Sequence, residues 1–157
     1  MNRFLLDTNM LLGFTRSAPW AARTYEHYEM ARPDCMVFTS VICKGELLAL
    51  AEKLGWEARK RAKMETVLSE FPVVEVNRTE ILHAYAQIDT WTHGKNPPSA
   101  ENSPTVPQPA ISMKQNDLWV AATAHATKAK LLTTDKDFDH LRGGWIDVDW
   151  IDQSKVL

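Results

Sequence analysis

With 157 residues, 45% apolar and 24% charged, the chain can bury one substantial core, and its composition excludes the disordered and fibrous classes. No apolar run approaches the ~20 residues of a membrane span, and the N-terminal FLL stops at Asp7, too soon for a signal-peptide core. Cys35 and Cys43 form no CxxC pair and no metal-finger spacing, which excludes a disulfide framework and a zinc finger. Both are expected as buried or partly buried thiols in a reducing, cytoplasmic setting.

Arg3 to Leu6 reads as a short buried strand ending at Asp7, with Thr8 or Asn9 as cap of a helix through Met10, Leu11, Leu12 and Phe14. A second helix is predicted from Pro19 to about Ala31, with Pro33 and Asp34 as its break. Met36 to Thr39 is a second strand, and Ser40 suits the cap of the helix that carries Glu46. In that helix Val41, Leu47, Leu48, Ala51 and Leu54 recur near the helical period, and Gly55 ends it. Trp56 to Glu70 forms the next helix, Pro72 opens a third strand (VVEV), and a further helix starts at Thr79.

Residues 94–112 hold five of the eight prolines and read as a long loop rather than a linker, because too little chain follows for a second domain. Ser112 to Gln115 matches a capping box for the next helix, with Asn116 as the alternative cap. Lys130 to Thr133 is a fourth strand beside Asp135, and Trp145 to Trp150 a fifth. Near-continuous apolar strands alternating with helices predict one α/β domain over residues 1–157, a three-layer sandwich on a mainly parallel sheet of four or five strands.

Four acids sit where these elements begin or end: Asp7, Glu46, Asp117 and Asp135. Ligands of open parallel sheets bind beyond the carboxyl ends of the strands, and this fold would bring all four to one edge. Two carboxylates ~4 Å apart repel by ~4 kcal/mol at an effective dielectric of ~20, so the cluster calls for a cation. All-oxygen ligands suit Mg²⁺ or Mn²⁺ better than zinc, and such sites are well suited to hydrolysing phosphodiesters. The net charge of −2 does not argue against a nucleic acid, because setting aside the four acids moves it to +2.

The ordered segments LLDTN, GE in the second strand's helix, NDLWVAATA and LLTTDKDF resemble the PIN-domain nucleases. Within them, the small layout is similar to the VapC-like ribonuclease toxins of toxin–antitoxin pairs. The resemblance implies Mg²⁺- or Mn²⁺-dependent hydrolysis of RNA. It implies catalytic roles for Asp7, Glu46, Asp117 and Asp135, with Asp7 and Asp117 as direct ligands and Asp135 as ligand or water-mediated partner. Glu46 would hold or activate water, and Asn116 and Thr134 would orient the carboxylates. The resemblance further implies a homodimer and an antitoxin whose tail obstructs the site. A non-catalytic PIN-fold module that binds RNA or protein is the alternative. The segment from His93 to Gln115 is longer than the family's usual connection; it is expected to shape RNA access, alter dimer contacts or be disordered, with access or specificity favoured over chemistry.

Other acids and bases have plainer readings. Asp137 and Asp139 are expected on a solvated turn, and Arg59, Lys60, Arg61 and Lys63 on a solvated helix face rather than an RNA patch. The five histidines lack metal-ligand spacing. There is no GxSxG elbow and no P-loop. An aspartyl-phosphate enzyme would need a second Asp where Asn9 stands.

Overall fold

The computed structural model describes residues 1–155; the last two residues of the expected 1–157 unit lie outside it. Five strands form one sheet: β1 (Asn2–Leu6), β2 (Cys35–Ser40), β3 (Val73–Val74), β4 (Lys130–Thr133) and β5 (Asp147–Trp150). Their order is β3-β2-β1-β4-β5 and every neighbouring pair is parallel. Among the described residues, six helices flank the sheet: α1 (Thr8–Thr15), α2 (Pro19–His27), α3 (Val41–Lys53), α4 (Ala58–Glu70), α5 (Thr79–Thr92) and α6 (Gln115–Thr127). The expected parallel α/β sandwich is therefore present. Among the described residues no helix is long and apolar enough to cross a membrane.

The strand order has one consequence for ligands. The chain steps from β1 to β2 to β3 in one direction, then returns to add β4 and β5 on the other side of β1. The sheet's switch point thus falls between β1 and β4, where open α/β sheets leave a crevice at the strands' carboxyl ends. Register places Leu6 beside both Thr39 and Leu132, so Asp7, one residue on, emerges at that crevice.

Beneath it lies the core. Leu5, Leu6, Met10, Leu11, Leu47, Leu131, Leu132 and Val148 are fully buried, each burial contributing roughly 1.5–3 kcal/mol. Buried strands covered on both faces explain why β1 and β4 lack polar alternation. Ser40 caps α3 as expected, accepting from the Ile42 N–H.

Several boundaries differ from the sequence reading. Neither Thr8 nor Asn9 caps α1; the Asp7 carboxylate does, accepting the Met10 N–H at 2.9 Å. Lys114, without a side-chain cap bond, precedes α6 in place of Ser112 or Asn116. Helix α2 stops at His27, four residues early, and β3 keeps only two residues because its only ladder is the edge of β2. Trp56 is not in α4; it is buried beside the Gly55 turn.

The proline-rich loop is tied down at its middle and at its far end. The Trp91 indole N–H donates to the carbonyls of Pro104 (3.0 Å) and Thr105 (3.1 Å). The Ile111 N–H donates to the Thr92 carbonyl at 2.8 Å. Pro104 closes down on Gly144, where an added Cβ would stand 2.5 Å from the proline Cγ. Gly144→Val is expected to cost about 1–3 kcal/mol through this overpacking, read as a lowered Tm; an unchanged Tm would mean that the loop yields freely.

Candidate metal centre

Asp7 is nearly buried, at 7% exposure, and both carboxylate oxygens are engaged. Oδ1 accepts the Met10 N–H, and Oδ2 accepts a short hydrogen bond from the Thr133 hydroxyl. Thr133 lies opposite because β1 and β4 run parallel with Leu6 paired to Leu132. Burial nevertheless dominates and pushes the Asp7 pKa up to about 6, helped by the charges of Asp135 and Glu46 and opposed by the two hydrogen bonds.

The same Thr133 hydroxyl also accepts the Asp135 N–H at 3.0 Å. One side chain therefore positions two acids. Asp135 caps the short 3-10 turn Lys136–Leu141, its Oδ1 accepting the Asp137 N–H at 2.9 Å. Glu46 projects from α3, and its Oε1 accepts the Thr8 hydroxyl at 2.9 Å. Asp117 stands in the first turn of α6, among free N–H groups that favour an anion. Its pKa is also raised to about 6, first by burial and then by Asp135, Glu46 and Asp137, against the opposing charge of Lys114.

All four sequence-selected acids line one open cleft of about 830 Å³, with Asn116 and Lys114 at its wall. The acids do not stand equally within it. Oxygens of Asp117, Asp135 and Asp137 lie within 4.8 Å of one another, while Asp7 sits below them with its oxygens already bonded. Asp137 is exposed on its turn, as expected, and yet lies within reach of Asp117 and Asp135; Asp139, also exposed, pairs with Arg142 at 3.2 Å. The hydroxyls that hold the acids belong to Thr133 and Thr8. Thr134 instead offers its carbonyl to the Trp150 indole N–H at 2.8 Å. Strand register was the signal for Thr133, and it is invisible until the pairing of β1 with β4 is known.

The chemistry of the donor set fits a hard divalent cation. Carboxylate oxygens alone converge, as Mg²⁺ or Mn²⁺ prefers, and Asp117 among them, like the deeper Asp7, has its pKa raised by burial and by neighbouring carboxylates. Cys43, buried beside Asp7, offers no competing thiolate, because burial pushes its pKa up to about 12. On α4, Arg61 is consumed structurally, bonding Glu52 and the carbonyls of Trp56 and Ala51.

The family model of the PIN domain matches residues 4–144. The chain belongs to the PIN-domain family. Among solved structures, this PIN domain is similar to a chain of VapBC2 from Rickettsia felis, bound there to a DNA fragment from its promoter. That match has a TM-score of 0.75 at 19% identity, covering 96% of this chain and 99% of the other. It is similar also to VapBC-1 from nontypeable Haemophilus influenzae (TM-score 0.71, 19% identity, 98% and 99% covered). A third is VapBC-5 from Mycobacterium tuberculosis, a member of the VapBC family of toxin–antitoxin systems (TM-score 0.57, 18% identity, 96% and 100% covered). At these identities the likeness shows the fold. No curated protein matches the chain.

Proposed function

We propose that this PIN domain is a Mg²⁺- or Mn²⁺-dependent endoribonuclease acting as the toxin of a toxin–antitoxin pair. One observation carries the reading: four acids from distant parts of the chain line a single open cleft at the sheet's switch point. Two of them, Asp7 and Asp117, have their pKa raised to about 6 by burial and by neighbouring carboxylates. A purely structural cluster would lower its own repulsion with basic partners; here Asp7, Glu46 and Asp135 bond threonine hydroxyls or backbone N–H groups, and Lys114 offsets Asp117 only in part.

Asp117, Asp135 and Asp7 would hold the cation, with Asp137 as a further oxygen donor beside them. When bound, the cation supplies charge stabilisation on the phosphate and makes water more acidic. Glu46, anchored through Thr8, stands free to accept the proton of the attacking water at its other oxygen. Thr133 keeps Asp7 and Asp135 in mutual register, and the cleft's openness suits a polymer rather than a small molecule. Hydrolysis adds water across one P–O bond of the RNA backbone, forming the new P–O bond as the leaving oxygen departs.

Assembly and setting belong to the same proposal. The chain works as one unit, as a homodimer in the cytoplasm, restrained by an antitoxin that covers the cleft. The structural neighbours described as VapBC complexes support the pairing by fold likeness. Cleavage of an RNA pool should appear with Mg²⁺ or Mn²⁺ and vanish with EDTA. Cleavage that survives EDTA would remove the metal from the mechanism. If no pool is cleaved under any condition, the reading moves to a non-catalytic binding module.

A further inference from the structure

A second groove of about 700 Å³ opens from the acidic cleft, sharing Lys114 and Asp117 with it. One wall is the last stretch of the proline-rich loop, Ile111 to Lys114; the other is the 3-10 turn, with Lys136, Asp139 and His140. The loop wall is held in place by the Ile111–Thr92 hydrogen bond. Among the described residues, the N–H groups of Ser112, Met113 and Lys114 donate to no protein acceptor, so the segment forming this wall has unpaired backbone donors. Across from it, the Lys136 ammonium lies 4.1 Å from the centre of the Trp150 ring. That ring is itself fixed by its N–H bond to Thr134. Asp139 pairs with Arg142, the exposed Asp137 lines the groove beside it, and Lys136 is the lysine that this turn contributes to the groove.

We propose that this groove holds the stretch of single-stranded RNA adjoining the cleaved phosphate, with Lys136 on a backbone phosphate and the Ser112–Lys114 edge reading the neighbouring base. The proposal rests on the RNA reading above. A strand whose phosphate reaches the acids must continue past Asp117, and the groove starts there. A phosphate within reach of a pre-placed ammonium gains affinity without new ordering cost. Unpaired backbone N–H groups supply hydrogen bonds to a base edge, as single-strand readers require. The loop thereby acts on which RNA is cut and leaves the chemistry to the acids.

The test is RNA binding by fluorescence anisotropy across a salt series, with Mg²⁺, in a Glu46→Gln background. The probe is a 12-nucleotide single-stranded RNA, compared with versions shortened from each end. Lys136→Gln should weaken binding several-fold and reduce the slope of log K against log salt by about 0.7, one single-strand phosphate contact. Shortening the RNA from one end only should abolish that difference. Lys60→Gln, on the α4 face, should change neither quantity. The groove is overturned if Lys136→Gln binds like its parent, or if the slope falls with Lys60→Gln instead. Wild-type protein that binds this RNA with the Lys136 dependence but cuts nothing would overturn hydrolysis alone and leave the groove standing.

Discussion

Asp7→Asn is expected to stabilise the metal-free protein at pH 7 by roughly 3 kcal/mol, a large gain from a single buried substitution. The sign follows from the raised folded-state pKa. The Asp7 carboxyl has an ordinary value of 3.8 and one of about 6 in the fold, so the native state holds the proton more tightly than the unfolded chain. The stability linked to that proton is fully present below pH ~4 and is lost as pH rises through about 6. At pH 7 the ionised group is a burden that burial imposes and two hydrogen bonds only partly relieve. Asparagine keeps an oxygen for the Met10 N–H while removing the charge. Urea unfolding of both proteins in EDTA at pH 4.5 and pH 7 measures it. The advantage of the variant should be large at pH 7 and small at pH 4.5. A pH-independent difference, or a variant less stable at pH 7, would contradict the electrostatic origin. Excess Mg²⁺ should narrow the gap by stabilising wild type, the expected linkage when a ligand binds the folded state.

Asp117→Asn is expected to reduce RNA cleavage by at least about 100-fold, on the order of the loss when a preorganised charge at a reaction centre is removed. Asp117 is half-buried in the first turn of α6 and couples to Asp135, Glu46 and Asp137, so its removal would weaken the proposed cation site without opening the core. The folded protein should survive with its Tm held or raised. In cells, expression of the wild-type chain should slow growth and the variant should relieve it. Cleavage retained by Asp117→Asn would take the acid cluster out of the reaction. Growth unaffected by the wild-type chain would separate the nuclease from the toxin role.

These two variants differ because the two acids solve different parts of one problem. Asp7 lies deep, capping α1 and bonded through both oxygens, so its substitution is read most clearly in stability. Asp117 lies at the rim beside Asp135 and Asp137, so its substitution is read most clearly in activity. Thr133 links the levels by donating to Asp7 and accepting from Asp135.

Apolar runs ending in an acid are a local signal, and for that reason β1 with Asp7 and β4 with Asp135 were legible in the sequence alone. Ser40 as the cap of α3 was legible too, since capping is decided within a few residues. The four acids, the parallel sheet and the family motifs all belong to this class of information. Asp7 as cap of α1 was not, because a carboxylate can serve as cap and site residue at once and local sequence does not reveal the double use. Lys114 before α6 was missed because Ser112 and Asn116 have better capping propensities.

What tertiary structure alone decided concerns residues far apart in sequence. Thr133, rather than Thr134, holds the carboxylates because parallel register sets it opposite Asp7. Asp137, though exposed, lies beside Asp135 because its N–H donates to the Asp135 carboxylate that caps the 3-10 turn. The proline-rich loop, unreadable by periodicity, became a groove wall because Trp91, Thr92 and Gly144 bind it. The acids could therefore be named from the chain, since each depends on its own strand or helix. Their unequal depths, their threonine supports and the second groove depend on pairings between residues 13 to 126 positions apart, which no local propensity encodes.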